Sequence, residues 1–123
     1  MGLVHAISHM VGADFDTHHG LTNAIVLPAV LKFNAPAIDD KLPAICAALG
    51  LQGVDFESFY AAICQFLDRL SVPVTLAEIG VPVEAARALA EKAHQDAAAG
   101  TNPRPADVAT IERLILEAIT VGR

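Results

Sequence analysis

Residues 20 to 33 place apolar side chains on every side of a helix: Leu21, Ala24, Ile25, Val26, Leu27, Val30, Leu31 and Phe33. Such a helix has no face to give to water, so it must be central and enclosed by others. Pro28 removes one ladder hydrogen bond and should bend it, and Asn34-Ala35-Pro36 is expected to end it. The remaining segments supply the enclosing helices. One spans residues 3 to 12, closing near Gly12 before a short loop with Asp14, Asp16 and Thr17. Another spans 37 to 49, with Pro43 at a kink or in a first turn capped by Asp39 or Asp40, and Gly50 closes it. Behind the N-cap Asp55, the residues Phe56, Phe59, Ile63, Phe66, Leu67 and Leu70 repeat at helical spacing up to Pro73, and their aromatics read as core.

Thr75-Leu76-Ala77-Glu78 has the spacing of a capping box on one short turn, stopped by Gly80. Residues 83 to 98 form an alanine-rich helix with Glu84, Arg87, Glu91 and Lys92 on its wet face, terminated at Gly100. Asn102-Pro103-Arg104-Pro105 is an extended loop, and Val108, Ile111, Leu114, Ile115 and Ile119 define the last helix. No strand pattern and no internal repeat is visible. The expected fold class is all-α, an antiparallel helical bundle forming a single helical domain over residues 1–123.

Composition adds a constraint on the surface. Hydrophobic residues make up 54% of the chain and charged residues 18%, against about 45–50% apolar in ordinary domains, and mean hydropathy is +0.47. Pro28, Thr22 and Asn23 interrupt the longest uncharged run, so no stretch approaches the roughly 20 apolar residues of a membrane span. No secretory signal is readable. Apolar helix faces covered by a second copy, or by a missing domain, are the expected outlet. The net charge of −6 and eight dispersed basic residues argue against nucleic acid. Cys46 and Cys64 lack metal or redox spacing and read as buried, reduced thiols of a cytoplasmic protein.

Four of the five histidines fall between residues 5 and 19, where even scatter would put fewer than one. His5 and His9 are four apart, on one helix face. His19 opens the apolar helix, where the positive dipole end disfavours imidazolium and keeps the ring in its metal-binding, neutral form. A lone histidine on a helix is ordinarily a hydrogen-bonded core or surface residue; a cluster of this density asks for another account. His18 reads as exposed or supporting, His94 as solvated, and Asp14 and Asp16 as turn formers or substitute ligands. Ala6 stands where a zinc-protease helix needs glutamate, which removes that reading.

The pattern His5-Ala6-Ile7-Ser8-His9-Met10-Val11-Gly12, followed by His19-Gly20-Leu21-Thr22-Asn23-Ala24-Ile25-Val26-Leu27-Pro28, resembles the C-terminal helical domain of the iron-containing (group III) alcohol dehydrogenases. The likeness continues more loosely through Ser71-Val72-Pro73, Thr75 to Gly80 and Asn102-Pro103-Arg104-Pro105. The resemblance implies that His5 and His19 are metal ligands for Fe²⁺ or Zn²⁺. It implies that His9 lines the site between metal and nicotinamide and helps move a proton. The family's other ligands, an Asp and a His four residues on, belong to an earlier helix that these residues do not include. No Gly-x-Gly phosphate loop occurs either, so NAD(P) would need a nucleotide-binding domain supplied elsewhere.

Met1 and Gly2 offer no N-cap to a helix already running at Leu3, which reads as a chain cut at its start. The implied function is a fragment of a metal-dependent NAD(P)-linked alcohol dehydrogenase, inactive alone. The alternatives are a non-catalytic helical oligomerisation module descended from that domain and a partner of a separately encoded nucleotide-binding half.

Overall fold

The computed structural model describes residues 2–123, and among them there is no strand. The elements are α1 (Gly2–Phe15), α2 (His19–Ile38), α3 (Leu42–Ala48), α4 (Phe56–Arg69), α5 (Ala86–Gln95) and α6 (Val108–Thr120), joined by short 3₁₀ turns. The all-α expectation holds.

Several boundaries differ from the sequence reading, each for a physical reason. Helix α1 runs through Gly12 to Phe15 and stops where Asp16 takes a left-handed φ of 53°, a conformation a short polar residue tolerates. Its start is capped from across the fold: Gly2 N donates to Thr101 Oγ1 at 2.9 Å and Leu3 N to Asn102 Oδ1 at 3.3 Å. No local residue needs to do that work. Helix α2 passes through Pro36 instead of ending there. Its far end is pinned by Arg104, which donates to the Phe33 carbonyl at 2.8 Å and lies 4.3 Å over the Phe33 ring. The buried Asn34 pairs with Asn102 on the same side.

The expected 83–98 helix is broken. A 3₁₀ turn over Val83–Ala85 precedes α5, and Asp96 leaves the helix with ψ of 136° to start another turn, Ala97–Thr101. Asp96 Oδ1 accepts from Ala98 N at 2.8 Å, so the side chain offers the backbone an alternative to the helical ladder. Pro43 sits in the first turn of α3, but neither Asp39 nor Asp40 caps it; Lys41 occupies the N-cap without a side-chain bond. Asp55 caps α4 through Ser58 N at 2.9 Å, and the Thr75–Glu78 capping box forms with Gly80 at φ 94° behind it.

Two apolar cores result. The larger joins α1, α2, α5 and α6 through Ile7, Val11, Ile25, Val30, Leu89 and Ile115, with Leu76 and Val81 closing one end. The smaller holds Leu42, Cys46 and Phe59 between α3 and α4, against Leu31 and Ile38 of α2. Cys46 and Cys64 are free thiols, the first buried and the second half-buried. Only Phe59 and Leu67 of α4 are buried; Phe66 is 51% exposed and Leu70 59%. The expectation that α4 buries its aromatics is therefore corrected at Phe66. The helical stretch His19–Ala48 is also longer and more apolar than the sequence reading allowed, with a mean hydropathy of 1.3 over its apolar window. By length and composition it passes as a span, but Ile25, Val26, Ala29, Val30 and Phe33 commit that apolarity to the core.

Candidate metal centre

Helix α1 buries Leu3, Ala6, Ile7 and Val11 in the larger core, and that burial fixes its rotation. His5 and His9 then lie a turn apart on the same side, both half-buried. The three-residue reversal at Asp16–His18 brings the start of α2 back beside them. The ring centroids of His5 and His19 are 5.6 Å apart, those of His5 and His9 6.0 Å, and those of His9 and His19 5.4 Å, the last pair stacked within 13°. Two imidazoles bound at about 2.0–2.1 Å to one tetrahedral metal have centroids about 5 Å apart. The His5–His19 separation is near that spacing, and imidazole nitrogens are donors that suit a divalent metal of the iron or zinc type.

Supporting bonds set the tautomer of His19. The buried Ser8 Oγ donates to the His19 carbonyl at 3.4 Å and lies 3.3 Å from His19 Nδ1. With its one proton committed, Ser8 accepts from Nδ1–H, and Nε2 keeps the lone pair. Asn23 Nδ2 donates to that Nε2 at 3.2 Å. A metal held at Nε2 would take the place of this amide, whose own Oδ1 is buried without a hydrogen-bond partner among the described residues. Second contacts of this kind orient ligand histidines.

His9 is held from a distant part of the chain: its Nδ1 is 3.0 Å from Asp96 Oδ2. The Ala98 N–H, and after it the His9 ring, hold the Asp96 carboxyl below its usual range. An ionised carboxylate only accepts, so His9 Nδ1 carries the proton. His18 stands apart from the trio as the exposed N-cap of α2, its Nδ1 accepting from Leu21 N at 3.3 Å. Asp14 is bound to Lys92 at 2.8 Å, Asp16 makes the turn, and His94 is exposed. Among the described residues no set of three His, Cys, Asp or Glu donors is ready to hold a metal. Neither Asp14 nor Asp16 joins His5 and His19 in such a set. Sequence reasoning missed Asp96, Ser8 and Asn23. Asp96 lies 87 residues from His9, and no local pattern joins them.

The model of the Fe-containing alcohol dehydrogenase family, C-terminal, matches residues 1–119. Lactaldehyde reductase of Escherichia coli K12 is 35% identical over 120 residues, covering 93% of this chain and 31% of the reductase. NAD-dependent methanol dehydrogenase of Bacillus methanolicus is 33% identical over 125 residues, 97% of this chain and 33% of that enzyme. Among solved structures, a 1,3-propanediol oxidoreductase superposes with a TM-score of 0.90 at 30% identity, over 97% of this chain and 33% of its own. The iron-containing alcohol dehydrogenase of Thermococcus thioreducens gives 0.83 at 30% identity, over 96% and 32%. The chain spans about a third of the length of these relatives. With the family model running from its first residue almost to its last, the chain belongs to the Fe-containing alcohol dehydrogenase family and corresponds to the C-terminal part of its members.

Proposed function

We propose that these residues contribute His5 and His19 as two metal ligands, and His9 as the proton-handling group, to an NAD(P)-linked alcohol dehydrogenase interconverting an alcohol and its aldehyde. The observation that carries the reading is the convergence of three imidazoles from α1 and α2 within 5.4–6.0 Å. A bound Fe²⁺ or Zn²⁺ supplies Lewis-acid polarisation of the substrate oxygen, and a nicotinamide cofactor supplies the hydride acceptor. The chain's own part is to hold that metal on two neutral imidazoles and to present His9 beside it. Two further ligands and the dinucleotide fold must come from outside these 123 residues, so the chain alone is catalytically silent. A cytoplasmic setting suits its free thiols.

Calorimetric titration with Zn²⁺, and with Fe²⁺ under anaerobic conditions, tests this. The wild type should bind weakly, since two ligands leave most of the coordination sphere to water. His5→Ala and His19→Ala should each weaken binding more than about tenfold, because even outer-shell losses cost about 10–100-fold. Equal heats from wild type and double variant would remove the metal claim.

A second reading has its own observation: Leu49 and Phe66, each more than half exposed, line one apolar pocket with Leu51 and Ile63. Through that face we propose self-association, either alongside the catalytic role or as a non-catalytic oligomerisation module, with a separately encoded nucleotide-binding half as the alternative occupant. Light scattering across a concentration series should show a dimer or larger species that Phe66→Asp shifts toward monomer. A wild type that stays monomeric throughout excludes self-association.

A further inference from the structure

Asp96 lies outside the histidine cluster and belongs to no motif, yet both of its oxygens are committed. Oδ1 accepts from Ala98 N at 2.8 Å and so fixes the carboxylate on the turn after α5. Oδ2 is then presented to His9 Nδ1 at 3.0 Å, with the Asp96 side chain only 16% exposed. We infer that Asp96 is the positioning residue of the site: it holds His9 as the Nδ1–H tautomer, with its plane fixed, so that Nε2 is the ring's basic nitrogen beside His5 and His19. The catalytic meaning of this assignment rests on the dehydrogenase reading above; the tautomer itself does not.

Oxidation of an alcohol releases a hydroxyl proton and a hydride. In the site proposed above the dinucleotide would take the hydride, and the lone pair of the His9 ring could take the proton. A free imidazole chooses between two tautomers, and only one leaves Nε2 able to accept. A carboxylate on Nδ1 makes that choice in advance and stabilises the imidazolium that forms, the role an aspartate plays toward a catalytic histidine elsewhere. The titratable rings facing His9 are His5 and His19, with centroids 6.0 and 5.4 Å away. If the Asp96–His9 bond does not persist in solution, water makes the choice of tautomer instead.

Asp96→Asn separates the two accounts. Its remaining oxygen can keep the Ala98 cap, while its amide now donates toward His9 Nδ1 and forces the proton to Nε2. The measurement is long-range ¹H–¹⁵N correlation on the histidine-labelled 123-residue chain, about two pH units above the ordinary imidazole range. In the wild type His9 should show a protonated Nδ1 and an unprotonated Nε2, and in Asp96→Asn the two positions should interchange at a nearly unchanged melting temperature. A wild-type His9 protonated on Nε2, or a tautomer indifferent to Asp96→Asn, overturns the assignment; the wild-type spectrum alone decides it if the variant fails to fold. Zn²⁺ added to the same sample reads the other claim separately. His5 and His19 signals unmoved by metal, with His9 in the expected tautomer, count against the metal reading and leave the Asp96 assignment supported.

Discussion

Asn102→Ala is expected to lower the unfolding free energy by about 2–4 kcal/mol, a large share of the stability of a small domain. One side chain makes four bonds. Its Oδ1 accepts from Leu3 N at 3.3 Å and from Asn34 Nδ2 at 3.1 Å. Its Nδ2 donates to Asn34 Oδ1 and to the Arg104 carbonyl, both at 2.7 Å. A net hydrogen bond is worth about 1 kcal/mol, but the asymmetry matters more: Asn34 is 7% exposed and would be left with an unsatisfied amide, which costs about 1–3 kcal/mol. The start of α1 also loses a cap, worth about 0.5–2 kcal/mol. Asn34→Ala breaks only the shared pair and should cost less. In urea unfolding the midpoint should fall with the slope unchanged, and the double variant should be about 0.5–3 kcal/mol less destabilised than the singles added together. A loss under about 0.5 kcal/mol for Asn102→Ala would mean the loop does not hold α1. Since α1 carries His5 and His9, the same variant should also weaken metal binding.

That asparagine pair shows where sequence reading stops. The element types and the order of α1 to α6 are legible because apolar spacing and caps are local: Asp55, the Thr75–Glu78 box and Gly80 all act within four residues of their targets. The histidine cluster is legible for the same reason, since His5, His9 and His19 lie on two adjacent helices joined by a tight turn. What was not legible is every contact closed over long separations. The cap of α1 comes from residues 101 and 102, the cation on the Phe33 carbonyl of α2 is Arg104, and the partner of His9 is Asp96. Asp96 also explains the broken helix: a residue chosen for its tertiary bond overrides the helical preference of the alanines around it.

Ile115→Ala and Phe66→Ala should differ by several kcal/mol, although both replace a large apolar residue at helical spacing. Ile115 is 0% exposed in the core shared by α1, α2, α5 and α6. Truncating it removes transfer free energy and leaves a cavity that the neighbouring helices cannot fully close, for a loss of about 2–5 kcal/mol. Phe66 is 51% exposed on α4, where truncation stays within about 0.5 kcal/mol of neutral. The sequence cannot separate the two, because periodicity marks an apolar face without naming what covers it. Within these residues α6 has its partners: α5 lies alongside it and α2 beneath. α4 packs on α2 and α3 through the buried Phe59, with Phe56 and Ile63 partly buried beside it, and leaves Phe66 outside. Thermal unfolding of both variants, at equal concentrations below those at which light scattering detects association, checks the contrast for the monomer. If Phe66→Ala destabilises as much as Ile115→Ala, the outer face of α4 is already buried in solution. The smaller core must then be completed by an intermolecular contact, and the stability of the wild type should rise with its own concentration.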